Sequence, residues 1–318
     1  MKAKENNQVV TVAVITYQSS STILETLDSI VNQTYSPKNI ELIISDDGSK
    51  DNTVQVIQSW LKKYKNLFYD VKFFANTQNG GISRNCNIAW KSSCSEWVKT
   101  IAGDDILSKE CLSINMAYVR NNPNCKVIFS KMAHFMSDIN KIHDVTPPSI
   151  VESFFKLSSK MQYEYLLRYS FNMAPTSFIN TSVLKTVDYC DEQYKLIEDL
   201  PLWLKITKAG FSMSYCNSVT VFYRKGNSIS QSVTRLTNVD FINQMLILHR
   251  NEVWPNFSGF SKWRILDTKI KYLSWLIPAK IFKNKRHLFS ILTQRLIFIF
   301  RPSIFILIKN RIILMFKK

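Results

Sequence analysis

Glycine is scarce in this chain, seven residues in 318, which weighs against a glycine-rich phosphate loop of the dinucleotide or P-loop kind, and neither fingerprint occurs. The six cysteines form no CxxC pair and have no close histidine partner, so neither zinc spacing nor a small disulfide framework is indicated; free thiols in a reducing cytosol are the simplest reading. The apolar stretch near the start is short and lacks a small-residue cleavage site, unlike a signal peptide, and a cytosolic location is expected. Acids are missing from one region altogether: after Asp267 there is no Asp or Glu, while twelve Lys and Arg fall between Lys269 and Lys318. Most of the net charge of +17 therefore belongs to the tail. The uncharged runs there fall short of the roughly 18 residues of a membrane span.

What is present is enough apolar material, 46% of residues, for a substantial core in one or two domains. From residue 9 the chain alternates. VVTVAVIT (9–16) reads as a buried strand, STILETLDSIVNQ (21–33) as an amphipathic helix, IELIISDDGS (40–49) as a strand ending in a turn, and NTVQVIQSWLKKY (52–64) as a helix. LFYDVKFFAN (67–76), GISRNCNIAWKSS (81–93) and EWVKTIAG (96–103) continue as strand, helix and strand. The order predicts an α/β fold, a mostly parallel, Rossmann-like sheet flanked by helices. Ligands of such sheets bind at the carboxyl ends of the strands. The polar clusters lie there: TYQSSS, SDDGSKDN, NTQNGGISRN and AGDDILS follow successive strands, so four loops are expected to converge on one crevice.

Farther on, residues 109–122 predict a helix, 125–135 a strand and 147–171 a helical insertion entered through Pro147 and Pro148, and the segment ending at Gly210 a helix followed by strand-like runs. No internal repeat or low-complexity tract is visible. From about Leu236 the chain is helical, aromatic and basic.

Two adjacent carboxylates, Asp104 and Asp105, repel one another unless a cation or hydrogen-bond donors compensate. Taken alone, this GDD would fit a solvated turn or a helix cap. The ordered set VAVITYQSSSTILETLDSIVNQTY, IISDDGSKDNT, NGGISRNCNIA, AGDDIL and EDLPLWLKITKAGF, however, closely resembles the successive motifs of inverting family 2 glycosyltransferases with a GT-A fold. The resemblance covers about residues 9–230 and implies a GT-A domain over residues 1–235, with a nucleotide-sugar half (1–105) and an acceptor half (106–235), followed by a basic helical region over 236–318. It further implies inverting transfer from a nucleotide-diphosphate sugar, UDP-linked, to a saccharide acceptor carried on a polyprenyl diphosphate lipid, in the synthesis of O-antigen, capsule or another bacterial surface polysaccharide.

By that resemblance, Asp105 and Asp104 hold Mg2+ or Mn2+, with Asp104 also near the ribose; hard oxygen ligands suit either ion. Ala102 stands where many relatives have a further acid. Thr16, Tyr17, Asp46, Asp47 and Arg84 are placed against the nucleotide, with Gly80 and Gly81 turning the chain ahead of Arg84, and Ser20 replaces an acid often found in the first loop. Asp199 matches the general base and Glu198 its polarising neighbour. YRKGNSIS (223–230) resembles the loop that closes over the diphosphate, with Arg224 and Lys225 to neutralise it, although the metal-binding histidine of some relatives is missing. Thr176, Ser177 and Trp203 fall in the acceptor region, Trp203 more as a packing residue than as a sugar contact. His134 and His143 read as structural.

The tail mixes Trp, Phe, Leu and Ile with Lys and Arg, which suits a peripheral helix on an anionic membrane surface, here the cytoplasmic face of a bacterial inner membrane. An extra helical layer packed on the catalytic domain is the plainer alternative, and the two can coexist. Two other functional readings stand beside sugar transfer: a basic nucleic-acid-binding protein, although no nucleic acid is expected as partner, and a catalytically inactive sugar-nucleotide-binding relative.

Overall fold

Each residue of β1 (Val10–Thr16) and β2 (Ile40–Asp46) is buried, as in strands covered by helices on both faces, and for that reason they read as continuous apolar runs. The computed structural model describes residues 8–169, 173–226 and 235–306. By internal packing it separates into two units, residues 1–226 and 227–318.

In the first unit α1 (Ile23–Val31) and α2 (Thr53–Tyr64) follow β1 and β2. Next come β3 (Asp70–Ala75), α3 (Ile82–Lys91) and β4 (Trp97–Ala102). These four strands pair in parallel in the order β3-β2-β1-β4, with Thr16 opposite Asp46 and Asp46 opposite Ala75. Their carboxyl ends therefore lie level, and the loops that follow meet. Val12, Val14, Leu42 and Ile44 in the strands pack with Ile23, Leu27, Ile57 and Trp60 of the helices, each buried aliphatic side chain contributing about 1.5–3 kcal/mol by leaving water.

Beyond β4 the chain forms β5 (Ile106–Leu107), α4 (Cys111–Asn121), β6 (Val127–Phe135) and β7 (Asp144–Thr146). There follow α5 (Ser149–Glu152), α6 (Ser159–Leu166), β8 (Phe178–Asn180), α7 (Thr181–Thr186), α8 (Asp199–Lys208) and β9 (Met213–Arg224). The insertion expected over 147–171 is not one helix: Leu157 is extended, and Ser158 caps a new helix by accepting the Met161 amide; residues 170–172 lie outside the described residues. The short β8 bridges β4 and β6 in antiparallel sense, extending the sheet to β4-β8-β6-β9-β5, with β7 on β6. Pairing of Ile106 with Phe222 and Leu107 with Val221 fastens the chain just after Asp105 to the chain just before Arg224.

The second unit contains α9 (Val239–Leu248), α10 (Trp263–Ile281) and α11 (Leu288–Ile299), with α10 packed against both others. Buried Asp267 accepts from Arg301 at 2.5 Å and from the Ser303 amide at 2.8 Å. Among the described residues no helix is long and apolar enough to cross a membrane. The tail beyond residue 306 and residues 227–234 of the expected closing loop lie outside the described residues.

Candidate active site

Backbone bonds tie the four loops together. The Asp47 amide donates to the Thr16 carbonyl (2.9 Å) and the Gly103 amide to the Ile15 carbonyl (2.9 Å). The Asp47 carboxylate in turn accepts the amides of Gly80 (2.8 Å) and Gly81 (2.9 Å). Two glycines are demanded by this closeness: a Cβ on Gly103 would lie 2.7 Å from Thr16 Oγ1, and one on Gly81, whose φ is +93°, would lie 2.4 Å from the Lys195 carbonyl oxygen. Gly81→Ala is expected to lower stability by about 1–3 kcal/mol, read as a lower urea midpoint with unchanged slope.

Of the residues expected to face a nucleotide, the structure buries three, Thr16, Asp46 and Asp47. Asp46 is fully buried and its carboxylate takes the Ser49 amide (2.9 Å) and hydroxyl (2.5 Å). Asp47 is buried, with both oxygens used by the glycine turn, and burial raises its pKa. Both acids build the loops through these bonds. Thr16 is buried with its hydroxyl unpartnered, whereas the Tyr17 ring is 46% exposed. Arg84 is exposed, with Asp47 close enough to feel its charge. Where Ser20 replaces an acid, its amide is bound by Asp51 (3.1 Å), which also caps the start of α2 through the Thr53 amide (3.1 Å) and hydroxyl (2.5 Å).

Asp104 and Asp105 occupy unlike environments. Asp104 is exposed; Asp105 is 1% exposed, its Oδ1 accepting the Arg224 amide (2.9 Å) and its Oδ2 buried without a hydrogen-bond partner. Burial, then repulsion from Asp104, holds the Asp105 carboxyl well above its usual range. The Arg224 guanidinium donates to the Asp104 carbonyl (2.9 Å) and to Glu25 (2.8 Å) and lies 4.5 Å from the Phe135 ring centroid. It therefore braces the acidic loop, and neighbouring Lys225 pairs with Asp144 at 2.9 Å. No group of three or more His, Cys, Asp or Glu that could cage a metal exists among the described residues. One exposed carboxylate still fits Mg2+ or Mn2+, which keep waters and bind phosphate oxygens beside one or two protein ligands.

The second carboxylate pair lines a pocket of about 90 Å³ formed with Ala102, Trp90, Pro175, Ser177 and Trp203. Its walls are mainly apolar. Glu198 is pushed up to about 8 by burial and then by the Asp199 charge, and burial raises Asp199 as well. Asp199 opens α8, where the helix N-terminus favours an anion, and its Oδ1 accepts the Leu200 amide at 2.6 Å. Ser177 reaches the pocket, although its hydroxyl donates to the Ala174 carbonyl (2.8 Å). Thr176 does not line it: the side chain is fully buried, donating to the Met173 carbonyl and accepting the Ser130 amide. These bonds fix the loop that carries it. Trp203 combines wall and packing, edge-on to Phe129 with ring centroids 5.0 Å apart. His134 is structural, bonded to Thr146 at 2.7 Å.

Two residues escaped the sequence reading. Lys99 is fully buried in β4, donates to the carbonyls of Pro175 and Ser177, and is lowered to about 8 by burial. A lysine in the middle of the apolar run EWVKTIAG was the visible signal. Tyr223 is pushed up to about 12 by burial, then by Asp105, Asp104 and Glu198. One phenol thus lies within electrostatic reach of both carboxylate pairs.

The Glu198 shift carries a stability consequence. Its folded pKa, about 8, exceeds the ordinary 4.5, so between these values the native state holds a proton that the unfolded chain has lost. Stability contributed by this group is present below the lower value and falls as pH rises through the window. Glu198→Gln is expected to flatten the decline of the denaturation midpoint between about pH 5 and pH 8, measured by urea titration of both proteins.

A mostly parallel α/β sheet whose first four loops meet beside an exposed tyrosine and arginine, with Asp104–Asp105 in the fourth and Glu198–Asp199 at the start of α8, is the arrangement of the GT-A class of nucleotide-sugar enzymes. The family model described as glycosyl transferase family 2 matches residues 11–187, and the chain belongs to that family. It is 25% identical over 278 residues to the poly(ribitol-phosphate) β-N-acetylglucosaminyltransferase TarS of Staphylococcus aureus, covering 82% of this chain and 46% of TarS. The chain thus spans about half the length of that relative. It is 24% identical over 221 residues to the Escherichia coli UDP-Glc:α-D-GlcNAc-diphosphoundecaprenol β-1,3-glucosyltransferase WfaP, covering 68% of this chain and 77% of WfaP. Among solved structures, the fold is shared with S. aureus TarS 1-349 in complex with UDP-GlcNAc (TM-score 0.59, 24% identity, 84% of this chain and 72% of that one). It is also shared with a Pyrobaculum calidifontis mannosyltransferase in complex with GDP-Man and Mn2+ (TM-score 0.50, 14% identity, 92% and 70%).

Proposed function

We propose that this chain is an inverting, metal-dependent glycosyltransferase that moves a sugar from a UDP-linked donor to a saccharide acceptor on a polyprenyl diphosphate lipid, in bacterial surface-polysaccharide assembly. The observation that carries the reading is the Glu198–Asp199 pair in an apolar pocket whose wall includes Ala102, two residues before Asp104. The UDP donor is supported by the UDP-sugar complex of TarS and the named donor of WfaP, and the lipid-linked acceptor by the named acceptor of WfaP.

Asp199 takes the proton of the acceptor hydroxyl as that oxygen bonds to the anomeric carbon and the bond to the diphosphate breaks. Glu198, holding its proton near neutral pH, leaves Asp199 as the ionised partner. Trp90, Leu202 and Trp203 keep water from competing with the acceptor. Arg84 and Tyr17 are offered to the nucleotide, the exposed ring as a stacking face. Asp104, and not the buried Asp105, is the carboxylate placed to hold Mg2+ or Mn2+, which when bound neutralises the diphosphate. Asp105 sets the position of that loop through the Arg224 amide.

Incubation with a panel of nucleotide sugars and lipid-linked acceptors tests the proposal, with UDP release and the product's anomeric configuration as readouts. A β-linked product from an α-linked donor is expected. Retained configuration would overturn the single-displacement mechanism. Nucleic-acid binding that persists while no sugar is transferred would favour the basic binding-protein reading instead.

A further inference from the structure

The second unit carries an apolar surface that its own packing leaves uncovered. On α10, Leu266, Leu273, Ile277 and Ile281 are exposed at spacings of seven, four and four residues, so they share one helical stripe. On α11, Leu288, Leu292, Leu296 and Ile299 do the same, and Phe289 beside them is 68% exposed. Lys262, Lys269 and Lys280 fall along one margin of the α10 stripe, and Arg295 borders that of α11; all four are exposed. The single acid of the two helices, Asp267, is buried and bonded to Arg301.

We infer that the stripes of α10 and α11 form a docking face for an anionic lipid bilayer, with the helices lying in the interface. Three features select this occupant. The exposed side chains are chiefly aliphatic, which suits acyl chains and gives nucleic-acid bases little to stack on. The charges bordering them are of one sign, so a second copy of the same face would meet like charge, whereas anionic headgroups meet opposite charge. Nor is any described helix long and apolar enough to cross a bilayer, so its apolar residues are suited to lying within one leaflet.

Flotation of the full chain with vesicles of phosphatidylcholine alone, or with added phosphatidylglycerol, tests the face independently of sugar transfer. Binding to the anionic vesicles at low salt is expected, with loss at high salt and little binding to neutral ones. Lys269→Glu with Arg295→Glu is expected to lower the bound fraction about tenfold or more, and Leu292→Ser with Leu296→Ser to do likewise, each with an unchanged circular dichroism spectrum. The charge variants alter only exposed side chains and decide the matter should the serine variants fail to fold. No binding at low salt, equal binding to neutral vesicles, or a concentration-dependent dimer by light scattering that the serine variants abolish would overturn the inference. None of these outcomes bears on whether the first unit transfers sugar.

Discussion

Replacing Asp199 with asparagine is expected to lower kcat for sugar transfer by about 10²–10⁴-fold while leaving donor affinity within a few-fold of wild type. The substitution keeps the shape of the side chain and an oxygen for the Leu200 amide (2.6 Å), so the pocket wall is preserved. What it removes is a group able to accept a proton in the transition state, and such a loss appears in kcat rather than in binding. Burial still disfavours ionised Glu198 in this variant, although the Asp199 charge that also raised it is gone. Rates under saturating donor and acceptor, with donor affinity from calorimetry, check the split. Wild-type kcat in Asp199→Asn would remove the base assignment.

The other large effect separates the neighbouring acids of the opening loop. Asp104→Ala is expected to reduce Mn2+-dependent affinity for a UDP-sugar by about a hundredfold, since an exposed oxygen ligand is lost where diphosphate charge must be neutralised. The protein itself should melt within about 2 °C of wild type, because Asp104 is exposed. Asp105→Ala should show the reverse emphasis. It leaves the Arg224 amide without its carboxylate partner and opens a void at a 1% exposed position, so a loss of about 2–4 kcal/mol in stability is expected. Thermal melts and Mn2+ titrations of both variants distinguish the roles. Equal Mn2+-dependent donor binding in wild type and Asp104→Ala would return the metal to Asp105.

Much of the sheet that carries these loops was legible beforehand for local reasons. Apolar runs broken by helical periodicity announced β1 to β4 and the helices between them, because strands buried on both faces, as β1 and β2 are, are mostly apolar. Parallel connection then requires that the polar clusters after those strands meet, as the bonds between Asp47, Thr16 and the Gly80–Gly81 turn show. The elements that escaped are short ones, β5 with two residues and β8 with three. Segments of that length have no period to read; they are strands only because β9, β4 and β6 offer them hydrogen bonds.

Which acids occur, and after which strand, was therefore written in the sequence, as were the family and the basic, acid-free composition of the tail. Which of them meets solvent was not. Asp46, Asp47 and Asp105 are chemically fit to bind a ligand, yet each accepts an amide from elsewhere: Ser49 three residues on, the Gly80–Gly81 turn, and, at one oxygen of Asp105, Arg224 far along the chain. Packing also turned Thr176 inward against Met173 and Ser130, buried Lys99 beneath the Pro175 loop and put Tyr223 within reach of Asp104, Asp105 and Glu198. A carboxylate's role depends on whether donors or water surround it, and those neighbours come from as near as three residues (Ser49 to Asp46) and as far as 119 (Arg224 to Asp105), so no local pattern alone reveals them.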